Sequence, residues 1–199
     1  MTTLTFNRKT KESDIALLLN CDGTGQSDID TGIGFFDHML KTLCFYAKFD
    51  LTIKAKGDLT VDTHHTVEDV GIVLGQAFLK ATTEHTCVKR FGMSIVPMDE
   101  ALVRSVVDLG GRSFLKLNCP KLTERIGKFE TETLETFFDA LTRNGWLTLH
   151  IDVLDGKNSH HIVEAIFKSL GQSLFLAMQS VSKGDQSLKG NPIWKGSTP

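Results

Sequence analysis

No run of this chain is apolar for long enough to cross a bilayer, which takes about 20 consecutive apolar residues, so no membrane segment is expected. The N-terminus, Met1-Thr-Thr-Leu-Thr-Phe, lacks the basic-then-apolar pattern of a secretory signal, and the cytoplasm is the expected location. Excess positive charge is missing too. A formal net charge of -2 argues against a general nucleic-acid binder. The four cysteines, Cys21, Cys44, Cys87 and Cys119, form no Cys-x-x-Cys pair, which leaves neither a zinc ribbon nor a redox couple. They read as small buried hydrophobes of a reducing compartment. What remains is a chain of 199 residues, 41% hydrophobic and 23% charged, with room for one large domain or two small fused ones.

The chain repeats itself. Residues 64–81 read HHTVEDVGIVLGQAFLKA and residues 160–177 read HHIVEAIFKSLGQSLFLA. Aligned without a gap they share both histidines, the glutamate and Leu-Gly-Gln, too much for two unrelated amphipathic helices. Leu51-Thr-Ile-Lys and Leu147-Thr-Leu-His each lie at the same distance before a His pair. Upstream, Gly34-Phe-Phe-Asp-His-Met-Leu and Thr133-Leu-Glu-Thr-Phe-Phe-Asp-Ala-Leu both resemble helix starts.

Periodicity predicts strands over 3–9 and 13–20, a helix over 35–47, a strand over 50–56 and another over 59–62. A Gly57-Asp58 hairpin turn joins the last two. Val67, Val70, Leu74 and Phe78 fall at helical spacing in a helix over 64–82. Strands follow near 91–96, 101–109 and 113–119, with Gly110-Gly111 as the hairpin between the last two. Then come a helix over 131–143, a strand over 146–153, an Asp155-Gly156 turn and a helix over 160–181. The expected fold is α+β, an internal duplication of a four-stranded sheet with helices on one face. The halves divide as 1–92 and 93–182, and 183–199 is a polar tail.

On a helix, positions i and i+4 share a face, so His64 with Glu68, and His160 with Glu164, can each grip one metal ion. His65 and His161 point about 100° away and are available to a second ion. Two such helices related by pseudo-symmetry make two sites, each with a His/Glu pair from one helix and a lone His from another. The pairing runs either within a subunit or between neighbours. His38, on the preceding helix, is a further ligand for one site, and its repeat mate is Thr136, a poor ligand. Imidazole and carboxylate donors suit Mn, Fe, Zn or Ni and do not choose among them. His85 and His150 read as ordinary surface or hydrogen-bonded histidines.

Five segments then carry a family resemblance: Gly32-Ile-Gly-Phe-Phe-Asp-His-Met-Leu, Asp62-Thr-His-His-Thr-Val-Glu-Asp, Pro97-Met-Asp-Glu-Ala-Leu, Asp108-Leu-Gly-Gly-Arg and Gly156-Lys-Asn-Ser-His-His-Ile-Val-Glu-Ala-Ile-Phe-Lys. In this order, from about Glu12 to Lys189, the chain resembles the imidazoleglycerol-phosphate dehydratases in their single-function form. The resemblance implies a hydro-lyase of histidine biosynthesis that assembles as a hollow shell of twenty-four subunits. It implies two divalent ions per site, most often manganese, held by residues of adjacent subunits. The ligands would be His38, His64, His65, Glu68, His160, His161 and Glu164; a further ligand position falls on Thr136. Substrate contacts carry over to Glu12, Arg90, Arg112, Ser187 and Lys189, and His38, Tyr46, His64 and Glu68 border the same substrate. Tyr46 and Leu188 depart from the family pattern, which has a histidine and a serine there.

That reaction removes a proton from the carbon beside an imidazole ring, where no carbonyl acidifies it. Ions on both ring nitrogens let the ring take up charge as an imidazolate, passing through a diazafulvene-like species, and this accounts for a motif that occurs twice. Glu12 and Asp99 are the candidate catalytic carboxylates, with Asp99-Glu100 also readable as a salt-bridged loop pair. Arg112 follows a Gly-Gly turn that allows close approach to an anion, and Arg90 and Lys189 complete a phosphate clamp. Two other classes fit the donors: a dinuclear metal hydrolase acting on esters or amides, and a metal-binding shell without turnover.

Overall fold

A computed structural model describes residues 3–84 and 88–181. The elements run β1 (Leu4–Lys9), β2 (Ser13–Asn20), β3 (Ser27–Asp30), α1 (Gly34–Ala47), β4 (Asp50–Gly57) and α2 (His64–Glu84). The second series is β5 (Phe91–Met98), β6 (Ala101–Asp108), β7 (Phe114–Asn118), β8 (Arg125–Ile126), β9 (Phe129–Glu130), α3 (Thr133–Gly145), β10 (Thr148–Asp155) and α4 (Ser159–Met178). Two four-stranded sheets result, ordered β1-β2-β4-β3 and β5-β6-β10-β7. In each, the third strand runs parallel to the fourth while the other pairs are antiparallel. The sheets therefore share one topology, as an internal duplication of an α+β unit requires.

Alternation decides which face of each sheet is covered. In β2, Ile15, Leu17 and Leu19 point inward and are fully buried, with polar or exposed neighbours between them. In β6 and β10 the inward positions are Val103 and Val107, and Leu149 and Ile151. The helices cover those faces, and they cross between halves: α1 packs on α4, and α2 on α3. Phe36 of α1 meets Phe137 of α3 at 5.2 Å between ring centroids, and Phe137 meets Phe167 of α4 at 5.8 Å. The apolar core is thus continuous through both halves. Among the described residues, no helix is long and apolar enough to cross a membrane.

The crossing depends on the Leu-Gly-Gln shared by the two repeats. A Cβ on Gly75 of α2 would sit 2.7 Å from the Leu141 carbonyl oxygen of α3; one on Gly171 of α4 would sit 2.7 Å from that of Leu43 in α1. The missing side chains let each helix lie on its partner's backbone. Both α1 and α3 end on a left-handed residue, Lys48 (φ 59°) and Trp146 (φ 49°), whose N–H returns to a carbonyl of the last turn.

Several sequence expectations need correction. Residues 59–62 are not a strand: Val61 N–H bonds the Asp58 carbonyl in a turn, and the chain passes directly into α2. The Gly110-Gly111 hairpin does not form, because both edges of β6 are occupied by β5 and β10, and β7 pairs with β10 instead. Strand β3 was not expected; Ser27-Asp28-Ile29-Asp30 has one buried apolar residue, Ile29, and no alternation to read. The strand registers also differ from the ungapped alignment. Leu19 pairs with Leu51 and Val107 with Leu149, so Leu51 corresponds to Leu149 rather than Leu147, and the loop before α4 is two residues shorter.

Candidate active site

The crossing of α1 on α4 assembles a cluster that neither repeat contains alone. His38 Nε2 lies 3.4 Å from Glu164 Oε2, and His160 Nε2 lies 3.2 Å from the same oxygen. The three donor atoms are all within 4.8 Å of one another, the sole such trio among the described residues. With metal–ligand bonds of about 2.0–2.2 Å, neighbouring donors around one ion sit roughly 3–3.4 Å apart. The trio therefore fits a divalent ion, with nitrogen and oxygen donors of the type manganese, iron or zinc accept. Burial works against the Glu164 charge, but Lys168, 2.8 Å away, and His38 outweigh it and hold its pKa below the ordinary range. Lys168 also faces the Tyr46 ring at 5.9 Å, and Tyr46, Glu164, Lys168 and Lys41 line an open depression of about 380 Å³ beside the trio.

The other histidine of each pair is held apart from its neighbour. His65 Nδ1 lies 3.0 Å from Asp58 Oδ2, and this bond raises its pKa, with the Glu12 charge adding to the effect. His161 Nδ1 lies 2.7 Å from Glu100 Oε2, which raises the His161 pKa and takes that of Glu100 down to about 2. Asp99, at φ 48° in the β5–β6 turn, brings Oδ2 to 3.7 Å from His161 Nε2. Glu12 occupies the matching turn between β1 and β2, and its carbonyl accepts the Asp58 N–H. The helix starts are capped alike: Asp62 accepts the His64 N–H at 2.8 Å, and Asn158 accepts those of His160 and His161.

His64 is exposed at the first position of α2, with Glu68 half-buried one turn on. Thr136 is half-buried on α3, the helix that packs on α2 as α1 packs on α4. It stands where His38 stands in the other half and offers no imidazole. Arg90, in the left-handed region at φ 72°, donates through Nε (2.7 Å) and Nη2 (3.1 Å) to Asp108, which raises its pKa. Arg112 Nη2 lies 3.9 Å from the same carboxylate and is largely exposed. The two cations thus converge on one end of β6. Ser187 and Lys189, like Leu188 and His85, lie outside the described residues.

Sequence reasoning missed the contact of Asp58 with His65, because Asp58 reads as a turn residue, and treated Glu100 only as a loop partner of Asp99. It also passed over Lys168 and Asp108; an i,i+4 count from Glu164 would have found Lys168. Cys44 is buried and Cys21 and Cys119 are half-buried, as small hydrophobes would be, while Cys87 lies outside the described residues. Burial pushes these three thiols up to about 12, 12 and 11 respectively.

Known proteins resemble the chain along nearly its whole length. The family model for imidazoleglycerol-phosphate dehydratase matches residues 31–174. A protein of that name from a Thermoanaerobacter species is 56% identical over 189 residues, covering 95% of each chain. One from Acetivibrio thermocellus is 49% identical over 190 residues, covering 96% of this chain and 95% of its own. The crystal structure of the Staphylococcus aureus enzyme superposes with a TM-score of 0.83 at 38% identity, over 90% of this chain and 100% of that one. That of Pyrococcus furiosus gives 0.79 at 37% identity, over 93% and 99%. A cross-repeat histidine–carboxylate trio on this duplicated fold, matched along nearly the whole chain by enzymes of one name, places the protein in the imidazoleglycerol-phosphate dehydratase family.

Proposed function

We propose that the chain converts imidazole glycerol phosphate to imidazole acetol phosphate in histidine biosynthesis, with divalent ions, manganese the expected one, bound at two sites. The observation that carries the metal reading is the convergence of His38, His160 and Glu164 from opposite repeats. His64 and Glu68 would hold the second ion, and His65 and His161 would supply the remaining imidazoles, within one subunit or across a contact between two. When bound, such ions supply the Lewis acidity that lets the substrate's imidazole ring take up charge as an imidazolate.

The chain's own side chains do the rest. Overall, one C–H and one C–O bond break, water leaves, and the resulting enol becomes the ketone. Glu12, an exposed carboxylate at the β1–β2 turn beside His65, is the base for the C–H proton, and Asp99 is the alternative. Arg90 and Arg112, gathered by Asp108, neutralise the phosphate, with Ser187 and Lys189 as its further contacts. Fixing the phosphate holds the ring end in register with the metal ligands, which is where positioning contributes most to rate. Self-association into a large symmetric shell, located in the cytoplasm, belongs to the same proposal. Support for it comes from the outward face of edge strand β5, where Phe91, Met93 and Ile95 are about half exposed, with Phe114 on β7.

Turnover of imidazole glycerol phosphate by chelator-stripped protein, with and without added manganese, tests the proposal. Manganese-dependent release of the acetol phosphate supports it. Stoichiometric metal uptake without turnover would favour a metal-binding shell instead, a reading that Thr136 keeps open.

A further inference from the structure

The duplication assigns unequal tasks to two carboxylates that occupy the same place in the fold. Glu12 immediately precedes β2, and Glu100 immediately precedes β6. The registers make them equivalent: Ile15 pairs with Ala55 as Val103 pairs with Val153, and counting back three residues from each reaches Glu12 and Glu100. Their surroundings differ. Glu100 Oε2 is 2.7 Å from His161 Nδ1, while Oε1 accepts the N–H of Asn158 at 2.7 Å and of Lys157 at 3.2 Å. The carboxylate thus ties the loop before α4 to the second histidine of the pair. In the first repeat that task belongs to Asp58, whose two oxygens lie 3.0 and 3.2 Å from His65 Nδ1. Among the described residues, the Glu12 carboxylate has no hydrogen-bond partner.

We infer that Glu100 and Asp58 are the positioning residues that present His161 and His65 to metal through Nε2, and that handing this task to Asp58 in the first repeat leaves Glu12 free. A carboxylate on Nδ1 fixes the tautomer, orients the ring and leaves the Nε2 lone pair as the donor. Without it the ring rotates about two χ angles, and either nitrogen can carry the proton. Glu100 therefore acts through His161, whereas its structural twin has no such bond and remains available to a substrate. The inference rests on reading His65 and His161 as metal ligands.

The experiment is a calorimetric manganese titration of chelator-stripped wild type, Glu100→Ala, Glu100→Gln, Asp58→Ala and Glu12→Gln, with melting curves of the same metal-free samples. Losing a carboxylate that orients a ligating histidine lowers metal affinity by about 10- to 100-fold. Glu100→Ala and Asp58→Ala are each expected to show that loss at one of two sites. Glu100→Gln has one acceptor oxygen where Glu100 has two, so it serves either Nδ1–H or the loop N–H groups, and it is expected to recover only part of the affinity. Glu12→Gln is expected to bind both ions as the wild type does while losing turnover. Wild-type affinity at both sites in Glu100→Ala overturns the inference, as does a weakened ion in Glu12→Gln equal to that in Glu100→Ala. Should Glu100→Ala melt early, the Asp58→Ala titration decides, because the Asp58 carboxylate bonds His65 and no loop N–H among the described residues: loss at one site supports the inference, and wild-type affinity at both overturns it. The affinity pattern in a wild type that does not turn over the substrate would support positioning and sink the dehydratase reading. Wild-type turnover with no affinity pattern would do the reverse.

Discussion

Gly171→Ala separates helix propensity from helix crossing, because the two effects have opposite signs. In an isolated helix the change stabilises by roughly 1 kcal/mol, since glycine loses more backbone freedom on folding. Here the new Cβ would lie 2.7 Å from the Leu43 carbonyl oxygen, 2.9 Å from Tyr46 Cβ and 3.2 Å from the Ala47 nitrogen. An ordinary contact begins at 3.4 Å, so α4 must retreat from α1 by about 0.7 Å. Two of the three obstacles are helix backbone and cannot rotate aside. Overpacking of this kind costs about 1–3 kcal/mol, and a rigid neighbour places it near the top of that range. The net expectation is a loss of about 2 kcal/mol, or roughly 4–8 °C in melting temperature for a chain of this size. The same retreat pulls His38 away from His160 and Glu164, and manganese affinity at that trio is expected to fall about tenfold. Gly75→Ala is the matched control. Its Cβ would meet the Leu141 oxygen at 2.7 Å, Asn144 Cβ at 2.9 Å and the Gly145 nitrogen at 2.9 Å, between α2 and α3. It is expected to lose similar stability while the trio keeps its affinity. Melting by circular dichroism and manganese titration read both quantities. A Gly171→Ala protein that melts at or above the wild-type temperature with unchanged affinity would refute the reasoning.

Other expectations concern the ligand set, the arginines and the thiols. Asp108→Asn removes the charge that gathers Arg90 and Arg112; steady-state kinetics should show KM for the phosphate substrate rising about tenfold with kcat little changed, and an equal fall in kcat would argue against a binding role. Thr136→His restores an imidazole beside the His64/Glu68 helix and should tighten the weaker of two manganese ions about tenfold in a titration. Because the described thiols are held at about 11–12, Cys21, Cys44 and Cys119 should stay unalkylated in native protein near pH 8 over times that label the unfolded chain completely, as read by intact mass.

The helices and the inner strands were legible because a single buried face repeats along them, as in Ile15, Leu17 and Leu19. Strand β3 was not, because Ile29 alone touches the core. Pairing was harder still. The strand over 113–119 could be read from its residues, but its alignment with β10 depends on which edges β5 and β10 already fill, information spread over sixty residues. The His-His-x-x-Glu motif was legible because it occurs twice. That His38 meets Glu164, 126 residues away, follows only from the crossing of α1 on α4. Asp58 carried a turn signal that concealed its hydrogen bond to His65. That Thr136 stands where the other repeat has His38 was visible in the repeat, but its position opposite α2 was not.

The crossed helices make the molecule a covalently joined pseudo-dimer. A cut between the repeats would leave His38 on one fragment and His160 with Glu164 on the other. Neither piece would own the complete trio of His38, His160 and Glu164, and mixing the two should restore what each lacks. Two separate halves could satisfy the same geometry only by associating, whereas one chain makes the encounter independent of concentration. It also frees the copies to differ. His38 and Thr136, or Glu12 and Glu100, can hold unlike residues only because each half is always opposite the other and never opposite itself.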